Sequence, residues 1–522
     1  MTTAEALVPL GLALLLLLVA RRTALEAGAA GLIAALGLVT FSPAFLLSPA
    51  EIGAALVRGV LVSLVVAYVL FFGLLLYHLN AAGGGIARIE ALLAEMPGGA
   101  SARAVVLCLP LGAFFEAISG FGTGVVMVAP LLRGLGFRAE RAALLSLLTQ
   151  NAVPWGALGV GVVLSAELAN LPLEPMGLLV AALTAPLFAY FAAVGLVLAG
   201  GWAALRREWP LWAFLAVATG AALLGACWLV GFELGMVVAG PVVAGAAFVL
   251  MSLGAGAAPS MSFRGAPGDE ESRLSRVPPA PDETATGEIF RSARNDMAER
   301  YADIRALVPY AFLVALLLVT RLVGPIRVWL STHLVLGPVQ LLYSPGFTLL
   351  LACLATVAVL RPPVKMALAR TSRQWLRATA ALVAFVTLSE LMLRSGMTER
   401  LALSAPGLVG PAYLLVAAWL AGLSGFVTGS NAAGAAMMLP FQLRIAEQVG
   451  LPRMLITALQ NAAAGAGSLA APQRVVLAAT ILGIPREEGR LVRAALLVEL
   501  GVMAILTLAA FAASAFSLPA SP

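Results

Sequence analysis

Apolar runs of membrane-spanning length recur along this chain from Leu7 to Phe516. A helix needs about 20 mostly apolar residues to cross the hydrocarbon core of a bilayer. The pattern predicts twelve such spans, near residues 5–20, 24–42, 56–77, 141–165, 178–199, 211–230, 234–254, 303–323, 346–361, 378–394, 453–480 and 490–516. Two further apolar segments, 103–132 and 408–440, read as re-entrant hairpins. The first run, Leu7 to Ala20, has neither a basic stretch before it nor a small-residue cleavage pattern after it, so it reads as a retained span. Between residues 257 and 302 the pattern is lost. Six arginines and eight acidic residues stand there around Pro278, Pro279 and Pro281, a composition that cannot bury enough apolar surface to fold alone. The stretch reads as a polar cytoplasmic linker between a first membrane repeat, 1–256, and a second, 303–522. The fold class expected is an all-α polytopic membrane protein.

Composition agrees with that reading. Of 522 residues, 61% are hydrophobic and 11% charged, against roughly half and about a quarter in soluble domains. Lipid is the solvent that tolerates such a surface. The formal charge of +6 carries no nucleic-acid signal, since 31 of the 32 basic residues are arginines and Lys365 is the sole lysine. Cys108, Cys227 and Cys353 sit in apolar stretches without metal or disulfide spacing and read as small packing residues. With two histidines and no H-E-x-x-H motif, a zinc-dependent membrane enzyme is disfavoured, and no cofactor is expected.

Orientation follows from the arginines, because cytoplasmic loops are enriched in Arg and Lys. Arg21 and Arg22, Arg133, Arg138 and Arg141, Arg206 and Arg207, Arg361, Lys365, Arg370 and Arg373, and Arg486, Arg490 and Arg493 cluster beside predicted spans. All fall inside if 103–132 enters from the cytoplasm and returns while 408–440 enters from outside. Both termini then face outside.

The strongest chemical signal is an internal repeat. Ser119-Gly120-Phe121-Gly122-Thr123-Gly124 recurs 305 residues later as Ser424-Gly425-Phe426-Val427-Thr428-Gly429, and Gln150-Asn151-Ala152 recurs 310 residues later as Gln460-Asn461-Ala462. Two motifs in the same order at nearly one offset point to a duplicated unit. The topology sets the copies in opposite orientations, the pattern of inverted-repeat transporters, whose discontinuous helices meet at the bilayer midplane and form the binding site. Broken backbone at that depth is tolerated only inside protein or along a cavity. Glycine permits the turn, and Thr, Ser, Asn and Gln replace lost helix bonds. The candidate substrate-binding residues are therefore Ser119, Gly120, Thr123, Gly124, Gln150, Asn151, Ser424, Thr428, Gly429, Ser430, Asn431, Gln460, Asn461, Gln473 and Arg474. Close helix packing is the competing explanation for each small residue among them.

Charges inside the membrane narrow the choice. Glu116 precedes the first motif, and Glu390 lies deep in the tenth span. A carboxylate at membrane depth costs about 2.5–3.5 kcal/mol on insertion scales and is usually functional, so both are proton-coupling candidates. An internal hydrogen bond closing the hairpin is the alternative for Glu116. Glu499 lies in the last span without a motif and reads as a packing residue. Arg474 follows Pro472, where the helix should break. It could grip a carboxylate bidentately or snorkel to the cytoplasmic face. His78 and His333 lie near span ends and read as interfacial. Trp155, after Pro154, could wall the site or pack.

These residues resemble the L-lactate permease family. The resemblance is carried by Gly112-Ala113-Phe114-Phe115-Glu116 running into Gly120-Phe121-Gly122, by Leu135-Gly136-Phe137, and by Asn151-Ala152-Val153-Pro154 with Gly156-Ala157-Leu158-Gly159. It returns in Phe426-Val427-Thr428-Gly429-Ser430, Gln460-Asn461-Ala462 and Ala471-Pro472-Gln473, with weaker likeness at Glu208-Trp209-Pro210 and Arg305-Ala306-Leu307-Val308-Pro309. It implies proton-coupled uptake of lactate, glycolate or similar 2-hydroxy carboxylates across the cytoplasmic membrane, by an elevator-type transporter with paired hairpins. In it Glu116 matches an acidic position, and Thr428, Gly429 and Ser430 match the second hairpin tip. The chain departs from the family pattern at Ala117-Ile118-Ser119 and Thr123-Gly124, where a Gly-Ala-Ala stretch and a proline are usual. It departs again at Asn431-Ala432-Ala433-Gly434-Ala435-Ala436, less polar than the usual Asp, Thr, Ser and Asn. A lysine four residues before the Pro-Gln pair is absent; Ser468 stands near that place, and Arg474 would restore its charge.

The expectation is an inverted-repeat permease of about twelve spans and two hairpins that imports a small 2-hydroxy monocarboxylate with a cation, H⁺ before Na⁺. Its partners would be the organic anion, the coupling cation and the lipid bilayer, with no nucleic acid, and an elevator is compatible with a homodimer. A Na⁺-coupled carrier of another organic anion and a passive anion channel are the rival readings.

Overall fold

Helix starts follow local sequence signals. Thr23 caps α2 (Ala24–Phe41) in a reciprocal capping box with Glu26, and Ser48 does the same with Glu51 for α3 (Pro49–Ala82), where Pro49 occupies the first turn. In this computed structural model the described residues are 2–516 other than 19, 21, 86–87, 90–95, 121, 256–304, 306, 337–338 and 404–409. The predicted linker at 257–302 thus lies outside them.

Before α2 stands α1 (Thr2–Leu18). After α3 the first half continues with α4 (Ala100–Ser119), α5 (Thr123–Gly134), α6 (Ala139–Leu147), α7 (Gly156–Ala169), α8 (Leu173–Arg207), α9 (Trp209–Val230) and α10 (Gly235–Ala255). The second half has α11 (Val308–Leu322), α12 (Gly324–Thr332), α13 (Pro345–Leu360), α14 (Val364–Arg394) and α15 (Met397–Leu403). It ends with α16 (Leu414–Thr428), α17 (Asn431–Val449), α18 (Arg453–Gly467), α19 (Pro472–Ile481) and α20 (Glu488–Phe516). Among the described residues the only strands are two-residue pieces, Val335–Leu336 and Val339–Gln340, paired antiparallel.

Among the described residues eight helices are long and apolar enough to cross a membrane, or ten if each of two bent pairs counts as one span, against the twelve expected. The difference has local causes. The predicted first and ninth spans are helices of 17 and 16 residues. The predicted eighth turns by 89° between Val308–Thr320 and Gly324–Thr332. The segment 453–480 is cut at Ser468–Ala470. Segment 103–132, expected as a hairpin throughout, begins with a helix of full spanning length, Ala100–Ser119, almost wholly enclosed by protein. Its Pro110 lies in a π-turn over Leu107–Leu111, where the missing proline N–H is absorbed.

The outer surface carries exposed Leu, Ile, Val and Phe side chains. Exposed Trp209 and Trp228 stand at the two ends of α9. Nineteen residues of helix span about 28 Å, close to the hydrocarbon thickness of about 30 Å, and tryptophans favour both interfaces. Inside, α3 and α14 pack antiparallel: Arg58 meets Glu390 near one end and His78 meets Gln374 near the other. Gly59 permits this contact, since a Cβ there would strike Thr387.

Candidate functional site

The first repeated motif makes a turn. α4 ends at Ser119, and Gly120 (φ 65°) and Gly122 (φ 85°) adopt angles that L side chains resist. Thr123 donates its hydroxyl to the Gly120 carbonyl at 2.7 Å. Glu116 reaches across this turn: its carboxylate accepts the N–H of Gly122 at 3.1 Å and of Gly124 at 3.2 Å. A helix N-terminus binds anions through such free N–H groups, and here the chain's own carboxylate occupies that of α5.

The second copy breaks at a different place in the motif. Val427 stands where the first copy has Gly122, and a β-branched side chain strongly disfavours the left-handed turn there. α16 runs on to Thr428, and the turn falls at Gly429 (φ 61°). Thr428 donates to the carbonyls of Ser424 (2.7 Å) and Ser430 (3.0 Å), and Ser430 caps α17 through the N–H of Ala433. Gly425, the positional counterpart of Gly120, stays helical and presses against the Ala464 backbone. Close packing also accounts for Gly124, against Gly112 and Thr149.

Beyond each tip lies a broken helix. After α6 a 3-10 segment, Leu148–Trp155, holds Gln150 and Asn151 and ends at Gly156 (φ −56°, ψ 132°). After α18 the short 3-10 turn Ser468–Ala470 ends at Ala471 (φ −56°, ψ 133°). The two breaks share one backbone conformation, and Gly465 faces Pro154 where the broken helices cross. Gln460 and Asn461, unlike Gln150 and Asn151, remain in continuous helix. They join the second tip: Gln460 donates to Ser424 at 3.1 Å and accepts from Gln442, while Asn461 accepts from Asn431 at 3.1 Å and from Ser165 at 3.2 Å.

Two adjacent residues of α19 bind the two tips. Gln473 donates to the Thr428 carbonyl at 2.6 Å. Arg474 Nη1 lies 3.4 Å from Glu116 Oε1, with both side chains buried. Snorkelling, the alternative for Arg474, is not what the structure shows.

A cavity of about 1060 Å³ lies against this junction. Of the predicted residues it is lined by Glu116, Gly120, Thr428, Gly429, Ser430, Asn431, Gln473 and Arg474. Its opposite wall comes from α2, α3 and α14, at Thr23–Glu26, Leu70, His78 and positions from Arg370 to Leu382. Ser119, Thr123, Gly124, Gln150, Asn151, Ser424, Gln460 and Asn461 do not line it; they are buried in the turns and networks behind. The side-chain oxygens of Ser119, Gln150 (Oε1), Asn151 (Oδ1) and Asn431 (Oδ1) have no hydrogen-bond partner among the described residues. Glu390 stands apart from the cavity, paired with Arg58 at 3.0 Å and Arg394 at 3.6 Å.

Trp155 is buried on Phe232, with ring centroids 5.5 Å apart, and does not wall the cavity. His333 is exposed and stacks on Trp329. His78, expected only at an interface, lines the cavity and bonds Gln374 at 3.2 Å. The sequence reading missed Arg370, Arg373 and Arg377 as cavity residues. Their spacing along one helical face was the available signal. Among the described residues no group of three or more His, Cys, Asp or Glu could hold a metal ion.

Known sequences bear on this arrangement. The family model of L-lactate permease matches residues 3–336 and 329–516. An L-lactate permease of Streptococcus iniae is 23% identical over 401 residues, covering 74% of this chain and 78% of its own length. An L-lactate permease of Salmonella typhi is 23% identical over 482 residues, covering 82% and 80%. A glycolate permease of Escherichia coli K12 is 27% identical over 147 residues, 28% of this chain and 26% of its own.

Proposed function

The chain belongs to the L-lactate permease family, and from that premise we propose that it imports a small 2-hydroxy monocarboxylate, of the lactate or glycolate kind, in symport with H⁺. Family membership and the apolar helices make it a multi-pass transporter of the plasma membrane and not an enzyme. The observation that carries the rest is the buried Glu116–Arg474 pair at the cavity floor. A guanidinium is the side chain best shaped to take a carboxylate through two parallel hydrogen bonds. While Glu116 is ionised it holds Arg474 itself. Once protonated, Glu116 releases Arg474 to the substrate carboxylate, and Ser430, Asn431 and Gln473 offer hydroxyl and amide partners to the 2-hydroxyl. Proton and anion then bind together and cross as a neutral load.

The two cavity walls suggest the motion. The broken helices and both turns form one side, and α2, α3 and α14 form the other. Sliding the first body along the second would carry the pair between the membrane faces, as in an elevator with two re-entrant hairpins in inverted copies. With the arginine-rich ends inside, the cavity opens to the cytoplasm, the state that releases imported substrate.

A specific observation favours one rival, Na⁺ coupling. The unpartnered oxygens of Gln150, Asn151 and Asn431 are the kind of ligand that Na⁺ takes at broken helices. Purified protein in liposomes separates the readings. Labelled L-lactate should accumulate under an inward H⁺ gradient without Na⁺. Accumulation that follows only a Na⁺ gradient would replace the proton reading. Equilibration without accumulation under either gradient would leave a passive channel.

A further inference from the structure

The cavity is far larger than a three-carbon acid requires, and its outer part is lined by residues that the coupling scheme does not use. Arg370, Arg373 and Arg377 stand at i, i+3 and i+7 on one face of α14, together with Gln374. All three are exposed, all three line the cavity that has Arg474 at its floor, and none makes an ion pair among the described residues. His78 from α3 and the N-terminus of α2 complete this mouth, with Glu26 as its one carboxylate, held to the Thr23 N–H at 3.0 Å. A general excess of arginine at the cytoplasmic side explains basic residues at a helix end. It does not explain three unpaired guanidinium groups turned onto one cavity.

We propose that Arg370, Arg373 and Arg377 form a second anion site at the cavity mouth, which collects small carboxylates and exchanges them with Arg474. The proposal rests on the permease reading for its purpose. Its electrostatics can be measured without transport. A cleft lined by one sign of charge between low-dielectric walls concentrates the opposite ion about 10- to 1,000-fold.

Ala378 lines the cavity beside Arg377, and the native Cys108, Cys227 and Cys353 are buried. Ala378→Cys therefore supplies one accessible reporter thiol at the site. The full chain in nanodiscs of zwitterionic lipid is treated with an anionic or a cationic methanethiosulfonate, and the ratio of the two rates is compared with that of free cysteine. A ratio cancels any change in thiol reactivity that both reagents share. The site predicts a preference for the anionic reagent of about tenfold or more, falling with salt and with added L-lactate or acetate. Arg370→Gln, Arg373→Gln and Arg377→Gln together should remove it, while lysine at all three positions should retain it. If the triple glutamine protein does not fold, each single glutamine variant should lower the ratio. An unchanged ratio in the glutamine variants overturns the proposal. So does a preference that vanishes when anionic lipid is added to the disc, which would assign these arginines to headgroups. Because the reporter reads reagent charge alone, failure of L-lactate as a transported substrate leaves the rate ratio decisive.

Discussion

Arg474 Nη1 lies 3.4 Å from Glu116 Oε1, although the two residues are 358 positions apart in the chain. The Glu116 side chain is 1% exposed and that of Arg474 8%. Each therefore depends on the other, because removing one partner of a buried pair costs about 3–5 kcal/mol through the charge left behind. Arg474→Gln should accordingly lower stability by about 3 kcal/mol, the carboxylate keeping only its two backbone N–H bonds. The double variant Glu116→Gln/Arg474→Gln should lose less than the sum of the single changes. Unfolding of the detergent-solubilised proteins checks this, and strict additivity would mean that the two charges do not interact.

Arg474→Lys keeps the charge and loses the planar fork. If Arg474 grips the substrate carboxylate through two bonds, the apparent affinity for L-lactate should fall about tenfold or more, equal to about 1.4 kcal/mol. Concentration dependence of counterflow in proteoliposomes measures it. Wild-type affinity in the lysine protein would remove the bidentate contact from the account.

The second turn depends on Gly429. Its φ of 61° disfavours any side chain, and a Cβ would run into the Gln473 amide that holds the Thr428 carbonyl. Gly429→Ala should abolish L-lactate counterflow and lower the unfolding temperature. Gly37→Ala is the control: nothing lies within 4 Å of its Cβ position inside α2, so it should be neutral or stabilise by about 0.5–1 kcal/mol through helix propensity.

How far the sequence revealed this arrangement varies residue by residue. Gly120 and Gly429 could be recognised as break points because glycine and hydroxyl residues interrupt long apolar runs. The repeat suggested equivalent breaks, and the turns instead fall at opposite ends of the motif, because Val427 replaces a glycine and helix continues until the next one. The pairing of Glu116 with Arg474 could not be read from order along the chain, since Glu116 lies in the last turn of α4 before the first motif turn and Arg474 begins α19 beyond the second helix break, and only the tertiary fold brings them together. Span number was less legible, because apolarity does not report where a helix stops: the apolar runs at the predicted first and ninth spans form helices of 17 and 16 residues, and that at 453–480 is cut at Ser468–Ala470. Glu390 has the same sequence signature as Glu116, a lone acid in an apolar helix, yet it pairs with Arg58 and Arg394 and does not line the cavity.

That contrast gives a prediction. Glu390→Gln should keep H⁺-driven L-lactate accumulation and lower stability by about 1–3 kcal/mol, because Glu390 is buried while its partners Arg58 and Arg394 both reach solvent. Loss of accumulation with counterflow intact would transfer the coupling role from Glu116 to Glu390.

The most direct measurement compares two modes of transport in Glu116→Gln. Glutamine resembles the protonated carboxyl and cannot release a proton, so Arg474 stays free to bind the anion. L-lactate counterflow between equal concentrations, which needs no net proton movement, should persist within about threefold of wild type. Accumulation driven by an inward H⁺ gradient should be lost. A glutamine protein that still accumulates L-lactate under the proton gradient would show that Glu116 does not carry the coupled proton and would contradict the account.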